Sequence, residues 1–283
     1  MSSNHPFHQE EAWRRLKEGL RELARREIMP RFHHVRPTLK DDGSLVTEAD
    51  RAMQGAVAAF LRAHWPQYAF LGEESACELQ DHALHAKGGC WILDPLDGTT
   101  NFAHGFELFG SSLALMIEGR VELGIVYDPV RDELFAARRG LGAELDHRPL
   151  RIPGGATRLA SALALIDFKR LPRALAVALV EAPPFASQRN LGTVALDWCW
   201  LAAARADLYL HGGQKLWDYA AGQLIFTEAG GASCTLAGEP IAQAVIGPRS
   251  AVAAGSAELL ALWRAHLSRA PHLHHQSGGG HQA

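Results

Sequence analysis

The segment Trp91-Ile92-Leu93-Asp94-Pro95-Leu96-Asp97 reads as a short buried strand that ends in two carboxylates, and Gly98-Thr99-Thr100-Asn101 follow at once. Charge beside an apolar core is costly unless something compensates it. Acids lie at two further places where an element closes or opens: Glu73 in Gly72-Glu73-Glu74-Ser75, after the apolar pair Phe70-Leu71, and Asp218 before a helical pattern. Taken singly, the Glu73 turn is a solvated acid pair and Asp218 a helix N-cap. Taken with Asp94 and Asp97 they form an oxygen-only donor set with no His or Cys beside it, which favours Mg²⁺ or Mn²⁺ over zinc. The main-chain carbonyl of Leu96, held between Pro95 and Asp97, is a further candidate ligand. Gly98, Thr99 and Thr100 open a predicted helix whose free N–H groups and dipole can hold a phosphate. The pattern points to a hard metal ion facing a phosphate, where the ion neutralises charge and acidifies a water.

The elements that must position these groups follow from periodicity. Residues 1–8 read as a flexible lead-in. Trp13, Leu16, Leu20, Leu23 and Ile28 recur at helical spacing over Gln9–Met29, and Pro30 ends that helix. Arg36–Val46 is a polar loop or hairpin. Thr47 and Asp50 have the spacing of a capped helix start, and the helix runs through Met53, Val57, Phe60 and Leu61 to Trp65, before Pro66. Asp50 is therefore either a capping group or a site residue. Residues 76–89 read as a loop. Ser111–Ile117, Val121–Tyr127 and Glu133–Ala137 read as strands, with Gly140, Gly142 and 151–155 as loop signals. A boundary near 153–157 divides an N-terminal α+β half, 9–153, from an α/β half, 154–267. There, strands are expected at Ala160–Asp167, Asp207–Leu210 and Val252–Ala254, with Gly212-Gly213 as a turn. Helices are expected at Leu171–Val180, Thr193–Ala204, Asp218–Ala229 and Ala257–Leu267. Alternating strands and helices imply a layered α/β fold. The tail, 268–283, is rich in His and Gly and reads as disordered.

Composition narrows the function. With 28 Lys and Arg against 31 Asp and Glu, the net charge of -3 argues against broad nucleic-acid or anionic-membrane binding. No apolar window is long enough for a membrane span, and the N-terminus lacks a signal-peptide pattern. Cys77, Cys90, Cys199 and Cys234 show no metal-like spacing and read as reduced thiols of a cytoplasmic protein.

Asp94-Pro95-Leu96-Asp97-Gly98-Thr99-Thr100-Asn101 resembles the signature of the inositol monophosphatase family, magnesium-dependent and lithium-sensitive phosphatases. Gly72-Glu73-Glu74-Ser75 and Trp217-Asp218-Tyr219-Ala220-Ala221-Gly222 resemble its other motifs, in the family's order, and Leu45–Asp50 matches the segment upstream. The resemblance spans roughly residues 9–267. It implies a five-layer αβαβα sandwich of the inositol monophosphatase and fructose-1,6-bisphosphatase type, commonly a homodimer. It also implies a set of roles. Glu73, Asp94, the Leu96 carbonyl, Asp97 and Asp218 would hold two or three Mg²⁺ ions, with Mn²⁺ as a substitute and Li⁺ as an inhibitor. Glu73 and Thr99 would activate the attacking water, Asp50 would orient Thr99, and Gly98, Thr99 and Thr100 would bind phosphate. Gly192, Thr193, His211 and Asp218 would face the rest of a small phosphate ester.

The chain departs from the family on the leaving-group side. Inositol-hydrolysing relatives carry an acid seven residues before the third-motif Asp, and here that position is His211. A carboxylate is the natural acceptor for ring hydroxyls, so beside inositol monophosphate the candidate substrates include histidinol phosphate, a sugar bisphosphate and 3′-phosphoadenosine 5′-phosphate as alternatives. Lys169 and Arg170 read as a solvated charge pair or as contacts to a second anionic group. A reading of another class is a regulatory binding protein of the transcription machinery. Its one hint is the arginine-rich first helix, where Glu is interleaved.

Overall fold

The computed structural model describes residues 5–33, 37–40, 43, 45–154 and 156–273. In chain order the elements are α1 (Glu10–Glu27), β1 (Thr38–Leu39), β2 (Leu45–Val46), α2 (Glu48–His64), β3 (Ala69–Gly72), α3 (Cys77–Leu84), β4 (Cys90–Asp97), α4 (Thr99–Ala103), β5 (Gly110–Ile117), β6 (Arg120–Asp128) and β7 (Glu133–Arg138). There follow β8 (Ala143–Leu145), β9 (Arg148–Leu150), β10 (Leu163–Asp167), α5 (Arg173–Glu181), β11 (Ser187–Arg189), α6 (Val194–Ala202), β12 (Leu208–Gln214), α7 (Leu216–Glu228), β13 (Ala232–Cys234), β14 (Arg249–Ala254) and α8 (Ala257–Leu273).

Two large sheets organise the chain. A seven-stranded sheet runs β3-β4-β5-β6-β7-β8-β9, and a five-stranded sheet runs β11-β10-β12-β14-β13. Side-chain alternation sends successive residues of β4 to opposite faces. Trp91 and Leu93 join Trp13, Leu16 and Leu20 of α1 and Met53 and Val57 of α2. Cys90 and Ile92 instead meet the layer of α6 and α7, whose far side packs on Leu165, Tyr209, Ala251 and Ala253 of the second sheet. The opposite face of that sheet, with Ala164, Ile166, Leu208 and Leu210, is covered by α5 and α8. The layers are therefore α1/α2, sheet, α6/α7, sheet, α5/α8: the αβαβα sandwich expected. Because β4 is covered on both sides, its run is continuously apolar until the acids.

Several elements differ from the sequence reading. Residues 5–8 are not a loose lead-in: Phe7 is buried, 4.9 Å from the Trp65 ring and 5.4 Å from the Trp91 ring. The stretch read as a loop at 76–89 contains α3, the crossover that parallel β3 and β4 require. The loop signals at Gly140 and Gly142 precede a further hairpin, β8–β9, whose turn residues Asp146 and His147 have φ of 46° and 66°. Such a turn is usually announced by Asn-Gly or Asp-Gly, and Asp-His carries no such signal. Gly212-Gly213 is not a turn but a bulged part of β12. Short β11 and β13 went unread, and α8 extends to Leu273, past the expected start of the tail. Residues 274–283, which hold most of the His- and Gly-rich stretch, lie outside the described residues.

Candidate active site

The site grows from the carboxyl ends of β3 and β4. Their parallel register pairs Gly72 with Leu93, and the Glu73 N–H donates to the Leu93 carbonyl at 3.0 Å. Glu73 and Asp94 therefore leave the sheet side by side. Pairing of β4 with β5 then slips between Asp94 and Asp97, where Pro95 has no N–H to give the ladder. The Leu96 N–H turns back to Asp94 Oδ1 at 3.0 Å. Gly98 closes the turn at φ 90°, where a Cβ would stand 2.9 Å from the Leu108 carbonyl. Thr99 and Thr100 then open α4, a helix of five residues.

The Asp50 carboxylate is shared between a helix cap and Thr99. Its Oδ2 accepts the Thr47 N–H at 2.7 Å and the Thr47 hydroxyl at 2.5 Å, closing a capping box at the start of α2. Its Oδ1 faces the Thr99 hydroxyl at 3.1 Å, and that same hydroxyl lies 2.9 Å from the Leu96 carbonyl. Asp97 is held from the second half of the chain: its Oδ2 accepts the Thr193 hydroxyl and the Ala195 N–H, both at 2.6 Å, at the start of α6. Asp218 sits in the first turn of α7, with Oδ2 accepting the Lys215 N–H at 2.8 Å. Ser112, the register partner of Asp94, donates its hydroxyl to the Trp217 carbonyl at 3.0 Å. That bond ties β4 and β5 to the turn that presents Asp218.

Electrostatics shows that these acids face one another. Burial, then the charges of Glu73, Asp97, Asp218 and Asp50, push Asp94 well above the usual carboxylate range. Burial, then Asp97 and Glu73, do the same to Asp218. Burial raises Asp97 to about 6 against its hydrogen bonds from Thr193, Ala195, Val194 and Gly98. Burial likewise raises Asp50 to about 6. Burial raises Glu73 as well, and Lys40 opposes it. Lys40 Nζ stands 2.9 Å from Glu73 Oε1 and also donates to Glu74. Its place at the end of β1, remote from Glu73 in the chain, left no sequence signal.

The donor chemistry fits a hard divalent ion: buried oxygen donors whose mutual repulsion a cation would relieve. Among the described residues no three His, Cys, Asp or Glu side chains close tightly enough round one point to form a finished cage.

The expected leaving-group residues are placed less directly. Thr193 is buried and spends its hydroxyl on Asp97. Gly192, at φ 71°, passes so close to Asn101 that a Cβ would meet its amide at 3.1 Å. His211 is only 5% exposed. Its Nδ1 accepts the Gly213 N–H at 3.1 Å, which puts the ring proton on Nε2, 3.6 Å from Asp167 Oδ2. Burial lowers His211 to about 4, so the ring is neutral. Thr193 is thus engaged with Asp97, and His211 faces Asp167. Asp197, one turn into α6, was missed by sequence reasoning. It is buried, its Oδ1 has no partner among the described residues, and burial with the charges of Asp97 and Asp167 pushes it well up.

A model of the inositol monophosphatase family matches residues 9–272. A protein named Nus factor SuhB from Pasteurella multocida is 38% identical over 209 residues, 72% of this chain and 76% of its own length. An inositol-1-monophosphatase from Mesorhizobium japonicum is 37% identical over 203 residues, 70% and 74% of the two chains. Among solved structures, the extragenic suppressor protein suhB of Bartonella henselae superposes with a TM-score of 0.77 at 29% identity, covering 92% of this chain and 98% of that one. An inositol monophosphatase from Thermotoga maritima gives 0.78 at 25% identity, covering 93% and 100%. With the acids of all three motifs gathered at one place in the αβαβα sandwich, and with a family match over nearly its whole length, the chain belongs to the inositol monophosphatase family.

Proposed function

We propose that the protein is a Mg²⁺-dependent phosphomonoesterase acting on a small phosphate ester. The observation that carries this reading is the gathering of Asp94, Asp97, Asp218 and Glu73 at one place, where burial raises all four and the charges of the neighbouring acids raise Asp94 and Asp218 further. That much negative charge in a low-dielectric pocket is a standing cost unless a cation joins it. Glu73, Asp94, the Leu96 carbonyl, Asp97 and Asp218 would hold Mg²⁺, which when bound neutralises phosphate charge and polarises the reacting oxygens. The chain's own groups do the rest. Thr99, oriented by Asp50 and the Leu96 carbonyl, directs its hydroxyl within the site. Glu73, raised by burial, is suited to take a proton from water. The first turn of α4, opened by the tight turn at Gly98, would present N–H groups to phosphate oxygens. Thr193 and the Ala195 N–H keep Asp97 in one rotamer. Lys40 supplies a positive charge at Glu73 that an arriving cation must displace or share.

A panel of phosphate esters, assayed for released phosphate with Mg²⁺ and again with chelator, tests the reading. It expects metal-dependent release from at least one ester, and release indifferent to chelator would sink it.

The binding-protein reading is favoured by one finding, the name Nus factor carried by relatives such as that of Pasteurella multocida. The basic helix does not support it. Arg14 pairs with Glu18, Arg15 with Glu11, Arg21 and Arg25 with Asp132, and Arg26 with Glu27. A cellular role that survives loss of Asp94 would favour it.

A further inference from the structure

The turn that presents Glu73 is gripped from two helices. β3 ends at Gly72, and Gln80, one turn into α3, lies buried beneath the residues that follow. Its Nε2 stands 3.1 Å from the carbonyl oxygens of Gly72, Glu73 and Ser75 alike. An amide nitrogen carries two hydrogens, so the three acceptors share them. They also fix which way the amide faces, because the reverse orientation would set its oxygen against three others. In an extended strand successive carbonyls point to opposite sides. Here the Gly72 and Glu73 carbonyls converge on one nitrogen, so the backbone bends at the residue that carries the carboxylate.

Gln54 of α2 takes the next group: its Oε1 accepts the Glu74 N–H at 3.0 Å. A Cβ at Gly72 would fall 2.1 Å from that oxygen, so glycine is what admits the amide there. Lys40 meets the carboxylates of Glu73 and Glu74, whereas the two glutamines hold the main chain. The grips are separate, and a cation that displaces Lys40 leaves the backbone fixed. Gln80 is itself anchored. Its N–H donates to the Ala76 carbonyl at 3.1 Å, and the following turn of α3 sets Ala83 and Leu84 in the core shared with Leu71 of β3 and Ile92 of β4. A continuous path thus runs from the core through α3 and Gln80 to Glu73, beside Asp94. Groups that fix a ligand from behind govern metal affinity without touching the ion.

We propose that Gln80 is a positioning residue of the metal site: its amide, through the carbonyls of Gly72, Glu73 and Ser75, holds the Glu73 carboxylate where a divalent cation meets it. The inference rests on the phosphatase reading above and extends it to a residue that touches neither ion nor ester.

The test measures Mg²⁺ binding by calorimetry without ester, and Mg²⁺-dependent phosphate release, for the wild-type chain, Gln80→Met and Leu84→Ala. Gln80→Met keeps the length of the side chain and removes its donors. Leu84→Ala loosens α3 in the core and leaves the amide in place, so it reports what loss of stability alone does. We expect Gln80→Met to bind Mg²⁺ about tenfold or more weakly than the wild type. The Mg²⁺ concentration that gives half-maximal release should rise in parallel, while KM for the ester at saturating Mg²⁺ stays unchanged. Leu84→Ala, though its melting temperature falls, should bind Mg²⁺ as the wild type does. Should Gln80→Met fail to fold, Gln80→Asn, whose amide falls short of the three carbonyls, takes its place with the same expectation. Unchanged Mg²⁺ affinity in the Gln80 variant, or an equal loss in Leu84→Ala, overturns the proposal. Gln80-dependent Mg²⁺ binding without phosphate release from any ester overturns the phosphatase reading and supports this one. Mg²⁺-dependent release that is the same in the wild type and in Gln80→Met does the reverse.

Discussion

At the residue scale, the central fact is a set of carboxyl groups held where they resist ionisation. Asp50 and Asp97, each raised to about 6, bind protons in the folded chain that an unfolded Asp has released by then. A raised acid favours folding fully only below its unfolded pKa, near 4, and that advantage is lost as pH rises through 6. Without metal, the melting temperature is therefore expected to fall between pH 4 and pH 7. Thermal unfolding in chelator at a series of pH values checks this, and a rise over that window would contradict it. Thr193 offers a second test. Thr193→Val removes the hydroxyl bond to Asp97 and the cap of α6, whose side-chain oxygen also accepts the Leu196 N–H. The cost should be about 1–2 kcal/mol in urea unfolding. No loss would mean that Asp97 is held by its backbone N–H donors alone.

At the element scale, the site depends on how closely α7 lies on the first sheet, because α7 carries Asp218 while β4 carries Asp94 and Asp97. Gly124 of β6 sets that distance: a Cβ there would meet Ala221 Cα at 2.7 Å. Gly124→Ala should destabilise the fold by about 1–3 kcal/mol and weaken Mg²⁺ binding in calorimetry, since it pushes one ligand-bearing element from the other. Unchanged Mg²⁺ affinity would show that α7 is not a rigid arm of the site. Elements were legible where pattern and stop signal agreed, as in α1, α2 and the β5–β7 meander. Glu73, Asp94, Asp97, Asp218 and Asp50 were legible because each closes or opens such an element. What escaped had no local signal. Phe7 is buried by ring contacts from Trp65, just past α2, and Trp91 of β4, and α3 exists to carry a parallel crossover. Lys40 reaches Glu73 across a gap of 33 residues. His211 could be recognised as a departure, but its pairing with Asp167 exists only once β10 and β12 lie side by side.

At the scale of the whole molecule, the acids come from both halves of the chain. Glu73, Asp94 and Asp97 belong to the seven-stranded sheet, while Asp218 and the partners of Asp97 come from the helices between the sheets. A ligand that binds only this assembled arrangement stabilises the entire fold by mass action. Saturating Mg²⁺ at pH 7 should raise the melting temperature, and the gain should shrink towards pH 5 as the acids take up protons instead. A gain independent of pH would place the ion elsewhere. No helix of the described residues is long and apolar enough to cross a membrane.

The most direct measurement is phosphate release by the wild-type chain and by Asp94→Asn, side by side, with Mg²⁺ and with chelator. The account predicts Mg²⁺-dependent release from a small phosphate ester by the wild type. It predicts a loss of at least about a hundredfold in the variant, whose metal-free melting temperature is no lower because one of the crowded charges is gone. An Asp94→Asn protein that still hydrolyses the ester at the wild-type rate, or a wild type that releases no phosphate with Mg²⁺ present, would contradict it.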